Sequence, residues 1–221
     1  GIEVTVNGNL TAEYTNESTN PVSYLSYYPP KYGYLEIIGR LNVYGDYSSY
    51  HARQLIMENE NSYLFVSGDV NTLLSDTTKS YSSIQGDYSL LKRVSNGTIE
   101  VKGNIITFNL PDSSNNTLIL SGDKQQSVSK KYGNFNIKNL MIMNSSKALI
   151  LNTDIYIDGT FYCPYIKIDS NGKNVHIRSN AELLNDQQYC TLKFIQNYQF
   201  KKPITLNTDI YIATGNIYVT I

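Results

Sequence analysis

Tryptophan is absent from this chain, and cysteine and histidine occur only twice each among 221 residues. Two cysteines, Cys163 and Cys190, exclude a disulfide scaffold and a thiolate metal framework, leaving one bridge or two inert thiols. His51 and His176 have no second His, Cys or carboxylate at ligand spacing, so each is read as a surface or stacking residue. Charge is scarce as well. Only 17% of residues are charged and the net charge is −1, which gives no long-range field to attract nucleic acid or an anionic membrane. Lys130-Lys131 and Lys201-Lys202 are isolated basic pairs and read as solvated ends. No apolar run approaches the ~20 residues that span a bilayer. The helix formers Ala and Glu are scarce, and no segment carries the 3.6-residue pattern of a long helix. The chain opens with Gly1 and no signal peptide, as expected of a processed or excised polypeptide.

Tyrosine, by contrast, fills 20 positions, and Asn, Ser, Thr, Ile and Val dominate much of the rest. That mixture favours strands and turns. The heptapeptide LNTDIYI occurs at residues 151–157 and again at 206–212, an interval of 55. Several apolar alternations end in the same punctuation, in VTVNGNL, LNVYGDY, LFVSGDV, SIQGDY, IEVKGNI, LILSGDK and IYIDGTF. The turn glycines are Gly8, Gly45, Gly68, Gly86, Gly103, Gly122 and Gly159, with Gly215 in ATGN as a late variant. From Gly45 to Gly122 the intervals are 23, 18, 17 and 19, and the outer gaps are 37, 37 and 56. These read as multiples of about eighteen residues, so 55 measures three units and the whole chain about twelve.

Strands and turns repeated at that period predict an all-β fold, a single parallel β-solenoid (β-helix) of about twelve coils spanning residues 1–221. Coils spaced ~4.8 Å apart would make a rod of roughly 55–60 Å. Gly followed by Asn or Asp suits a tight corner with positive φ. The Tyr- and Pro-rich stretch at residues 20–34 is expected to be an insertion, 109–116 a polar turn, and 182–188 a single helical turn.

At residues 118–129 the run LILSGDKQQSVS resembles a segment recurring in large exported proteins of clostridia and related Gram-positive bacteria. LNVYGDY, LIMENENSYLFVSGDV and IEVKGNI before it, and FNIKNLMIMNSS after it, extend the resemblance over residues 35–157. It implies an exported, repetitive, cell-surface or extracellular polypeptide. It brings no catalytic residues with it, and the Tyr-rich insertion and the second LNTDIYI depart from it.

Chemistry is sparse. Asp46, Asp69, Asp87, Asp123 and Asp158 follow or neighbour turn glycines and could form a column, interrupted by Asn9, Asn104 and Asn216. Capping of turn backbone is the expected role, because Asn in such a column serves geometry but not acid catalysis. No GxSxG elbow and no Gly-rich calcium nonapeptide is present. The expectation is therefore a non-catalytic extracellular rod with no cofactor or metal, self-associating head to tail or part of a larger surface assembly. Its partners would be other copies of itself or neighbouring coils of a longer chain. The rival reading is a carbohydrate-binding adhesin module or a polysaccharide-cleaving β-helix enzyme, with a cell-surface glycan as partner. Candidate interface residues are Ile2, Val4 and Val6 at one end, Tyr218, Val219 and Ile221 at the other, and Tyr24, Tyr27, Tyr28, Tyr32 and Tyr34 in the insertion.

Overall fold

Runs such as TIEV and TLIL place an apolar residue at every second position, and each is a strand whose alternate side chains are buried. The computed structural model describes residues 2–12, 35–49, 55–72, 94–108, 114–130, 135–146, 148–163, 167–169, 171–184, 191–200, 205–206, 209–214 and 216–218. Among these there are strands and no helix, and hence no helix long and apolar enough to cross a membrane.

The strands stack in parallel into three long sheets. The first contains, in spatial order, β1 (Glu3–Val6), β4 (Arg40–Val43), β7 (Tyr63–Val66), β9 (Thr98–Val101), β11 (Thr117–Leu120), β14 (Asn139–Ile142), β17 (Thr160–Tyr162) and β20 (Glu182–Leu183). The second contains β2 (Leu10–Ala12), β5 (Tyr47–Ser49), β8 (Val70–Asn71), β10 (Ile105–Thr107), β12 (Gln126–Val128), β15 (Ala148–Leu151) and β18 (Lys167–Asp169). The third contains β13 (Phe135–Ile137), β16 (Ile155–Ile157), β19 (Val175–Ile177), β21 (Leu192–Phe194) and β23 (Ile210–Ile212). Two small sheets pair β3 (Leu35–Glu36) with β6 (Leu55–Ile56), and β22 (Tyr198–Gln199) with β24 (Ile217–Tyr218). From β11 to β19 the chain visits the first, second and third sheets in strict rotation. That winding is a parallel β-solenoid.

The core is a set of columns along the axis. Leu41, Leu64, Ile99, Leu118, Leu140, Phe161 and Leu183 stack in register on the first face, and all are buried. Ile137, Ile157, Ile177 and Phe194 do the same on the third. Each such side chain contributes roughly 1.5–3 kcal/mol by leaving water, and it does so against the rungs above and below. Cys163 is buried with this core, whereas Cys190 lies outside the described residues.

The expected regularity is corrected. On the first face Val6 stands beside Val43, then Val66, Val101, Leu120 and Ile142, in steps of 37, 23, 35, 19 and 22 residues. Neither a uniform period of eighteen nor twelve coils is supported, since the first face is eight strands deep and the second seven. The long steps enclose residues 13–34 and 73–93, which lie outside the described residues, as do the insertion at 20–34 and Gly86. Gly103 N–H donates to Gly68 O at 3.1 Å, so these two glycines are direct neighbours and no rung intervenes. Glu182 and Leu183, expected at a helical turn, instead pair with β17 in the first sheet.

Candidate functional site

The corner between first and second faces is the first place where the punctuation residues converge. Gly8, Gly45, Gly68 and Gly103 form one column, with Gly68 N–H donating to Gly45 O at 2.9 Å. At Gly45, Gly68 and Gly103 close approach, not positive φ, requires glycine. A Cβ on Gly45 would lie 2.6 Å from the Gly8 carbonyl, and one on Gly68 would lie 2.8 Å from that of Gly45. Among the described glycines positive φ falls at Gly8, the first of the column, and at Gly97 and Gly172.

Beside that column runs a ladder of side-chain oxygens. Asn9 Oδ1 accepts from Asp46 N–H at 2.9 Å, Asp46 Oδ1 from Asp69 N–H at 2.8 Å, and Asp69 Oδ1 from Asn104 N–H at 2.6 Å. Asn104 Oδ1 then accepts from Ser127 N–H at 2.9 Å. Each Asx caps the backbone of the next rung, not of its own turn. Two expected members belong elsewhere. Gly159 packs against Lys138 and Asn139 at the corner between third and first faces, and Asp158 pairs there with Lys138 at 3.6 Å. Gly122 is held by a side chain, donating its N–H to Gln126 Oε1 at 2.9 Å. Asp87 and Gly215 lie outside the described residues.

The two end rungs form the second place. Ile2, Val4 and Tyr218 are exposed and Val6 is half-buried. Tyr24, Tyr27, Tyr28, Tyr32, Tyr34, Val219 and Ile221 lie outside the described residues. The repeated heptapeptide makes the contrast sharp. Ile155 and Ile157 of the first copy are 1% and 0% exposed, while Ile210 and Ile212 of the second are 45% and 51% exposed. Both copies sit in the same sheet in the same register, β16 and β23 being separated by β19 and β21. In the third sheet β23 pairs with β21, and its other edge has no strand beside it among the described residues.

The third place was not foreseen from the sequence. Outward positions of the third face align Asn136, Tyr156, His176, Lys193 and Tyr211. The His176 and Tyr156 rings are parallel within 1°, with centroids 4.1 Å apart. His176 Nε2 meets Asp154 Oδ2 at 3.1 Å, and Asp154 Oδ1 accepts from Asn174 N–H at 2.9 Å. Burial pushes the His176 pKa down, only partly offset by Asp154. Burial acts to raise Asp154, but the Asn174 N–H and His176 outweigh it, and its pKa is lowered. His176 Nδ1 is buried and, among the described residues, has no hydrogen-bond partner. The Asp154–His176 contact links adjacent rungs and braces one on the other. Asp154 and His176 are 22 residues apart, and only the register of β16 on β19 brings them together.

On the first face Arg40 lies 4.1 Å from the Tyr63 ring centre, and the Tyr63 hydroxyl donates to Glu100. Burial, then the Glu100 carboxylate, push Tyr63 up to about 12. Among the described residues no group of three or more His, Cys, Asp and Glu converges to hold a metal. Comparison with known proteins finds no matching family model, no matching curated protein and no matching solved structure.

Proposed function

We propose that the chain is a non-catalytic structural β-solenoid, a single continuous rod at the cell surface or outside the cell, whose ends associate head to tail. The observation that supports this most is the contrast within one heptapeptide. The Ile-Tyr-Ile triplet is buried where a rung lies on each side of it, and exposed at β23 where, among the described residues, a rung lies on one side only. Apolar side chains at the opposite end, Ile2 and Val4, offer a complementary surface of the same kind. A head-to-tail contact is heterologous and propagates into a filament, whereas a two-fold contact would close. The resemblance of residues 35–157 to exported clostridial repeats supports the extracellular setting, and neighbouring coils of a longer chain would cover the same edges.

The test is negative-stain imaging of the purified 221-residue chain over a concentration series. Unbranched filaments of one-rung width that lengthen with concentration are expected. Isolated short rods at every concentration would contradict self-association.

A further inference from the structure

The corners of the solenoid carry a direction. Asn9, Asp46, Asp69 and Asn104 each lend a side-chain oxygen to a backbone N–H of the rung that follows. Elsewhere Asn139 Oδ1 accepts from Thr160 N–H, Asp154 Oδ1 from Asn174 N–H, and Asn197 Oδ1 from Asn216 N–H, each at 2.9 Å. All of these bonds run one way, with the acceptor on the earlier rung and the donor on the later one. Asp and Asn share the role, because only Oδ1 is used. A stack built in this way has a spare Asx acceptor at its C-terminal edge.

The repeated heptapeptide identifies that acceptor. Asp154, Asn174, Thr191 and Asp209 immediately precede β16, β19, β21 and β23, whose first residues lie in register, so they form one column. Backbone bonding repeats along it. The N–H groups of Ile155, Val175 and Leu192 donate to the carbonyls of Asn174, Thr191 and Asp209 at 3.0, 3.3 and 3.1 Å. Asp154, in the inner copy, caps the next rung through Asn174 N–H. Asp209 is the same residue of the outer copy. It is exposed, and among the described residues its carboxylate has no hydrogen bond or ion pair.

We propose that Asp209 is the junction residue of the head-to-tail contact, its carboxylate accepting a backbone N–H from the first rung of a second copy of this chain. The inference rests on the reading of the ends as a self-association surface, and it adds what orients them. An ionised carboxylate receives an N–H in a charge-assisted bond, stronger than a neutral one. Exposed Ile210 and Ile212 supply apolar area on the same edge, and the carboxylate supplies register. It also supplies polarity. Two C-terminal edges brought together would set Asp209 against Asp209, like charges with no donor between them. A C-terminal edge laid on an N-terminal one repeats the arrangement that Asp154 and Asn174 already make inside the chain.

The test uses two full-length variants, each with one end blocked, so that only one junction can form. Ile210→Lys blocks the C-terminal edge and Val4→Lys the N-terminal edge. Each alone should sediment as a monomer, and an equimolar mixture should form a heterodimer. Asp209→Ala added to the Val4→Lys chain should weaken that heterodimer about tenfold, and Asp209→Asn should restore it to within about threefold, because the amide keeps Oδ1 as an acceptor. The thermal midpoint of the dilute Val4→Lys chain should not move with either change, since Asp209 is exposed and unpaired within the chain. Absence of a heterodimer at every concentration would overturn the reading of the ends, and this inference with it. A heterodimer undiminished by Asp209→Ala, or not restored by Asp209→Asn, would overturn the inference alone. Self-association of the Val4→Lys chain would overturn both the polarity and the role given to Asp209.

Discussion

Gln126 occupies an inward position of the second sheet, in register with the buried Leu149 of the next rung. Its amide is fully satisfied. Nε2 donates to Val101 O and Gly103 O at 3.0 and 2.7 Å, and Oε1 accepts from Gly122 N–H and Asn144 Nδ2 at 2.9 and 2.7 Å. Gln126→Leu would keep the volume and orphan those groups, so a loss of about 3 kcal/mol is expected from urea unfolding. At Gly103 the neighbouring Gly68 carbonyl occupies the place of a Cβ. Gly103→Ala should therefore cost about 2 kcal/mol through overpacking, whatever the backbone angles. A third expectation concerns pH. The folded-state pKa of His176 is lowered, so the unfolded chain binds more protons and stability falls as pH drops below about 6.5. Asp154 is also lowered, and its contribution, present above its ordinary value of 3.8, is lost as pH falls through the folded pKa. The thermal midpoint should decline in both windows. His176→Gln should flatten the upper one and also shrink the lower one, because His176 is one of the groups that lower Asp154. From sequence Gly45, Gly68 and Gly103 could be placed at corners, because each is followed by Asp or Asn, but not the reason for glycine there or that Asp46 and Asp69 cap the next rung. Gln126 with Asn144 and Asp154 with His176 were not legible either, because their partners are set by register across rungs.

Strand elements show what a rung gains from its neighbours. The two Ile-Tyr-Ile copies have the same local propensity and differ only in what lies above and below, yet only the inner copy is buried. Ile157→Ala should destabilise by about 3 kcal/mol, while Ile212→Ala should change the unfolding free energy of dilute, unassociated chains by less than about 0.5 kcal/mol. Equal effects would mean that both rungs are enclosed in the dilute chain. The interval of 55 between the copies was read as three units, and β16, β19, β21 and β23 are indeed three steps apart. Extending one period over the whole chain failed for a physical reason. A solenoid constrains the strands that stack and not the lengths of the connections between them. The Gly-Asp at residues 86–87 resembles a corner in sequence, but the column passes directly from Gly68 to Gly103.

At the scale of the whole molecule, stability is close to a sum of rung-to-rung terms, so the two end rungs are the weakest part of an isolated chain. They also carry exposed apolar side chains, with Ile2 at 81% and Tyr211 at 59% exposed. The all-β, parallel, stacked architecture was legible from alternation, turn residues and the lack of helical pattern. What covers the ends was not, because an exposed strand edge reads the same in one letter code as a covered one. Head-to-tail association is the central claim, and sedimentation velocity of the intact chain and its Ile210→Lys variant tests it most directly. The unmodified chain should show a sedimentation coefficient that rises with concentration, and Ile210→Lys, which places a charge on the open edge of β23, should sediment as a single small species with an unchanged thermal midpoint. One concentration-independent species for both proteins would contradict the account.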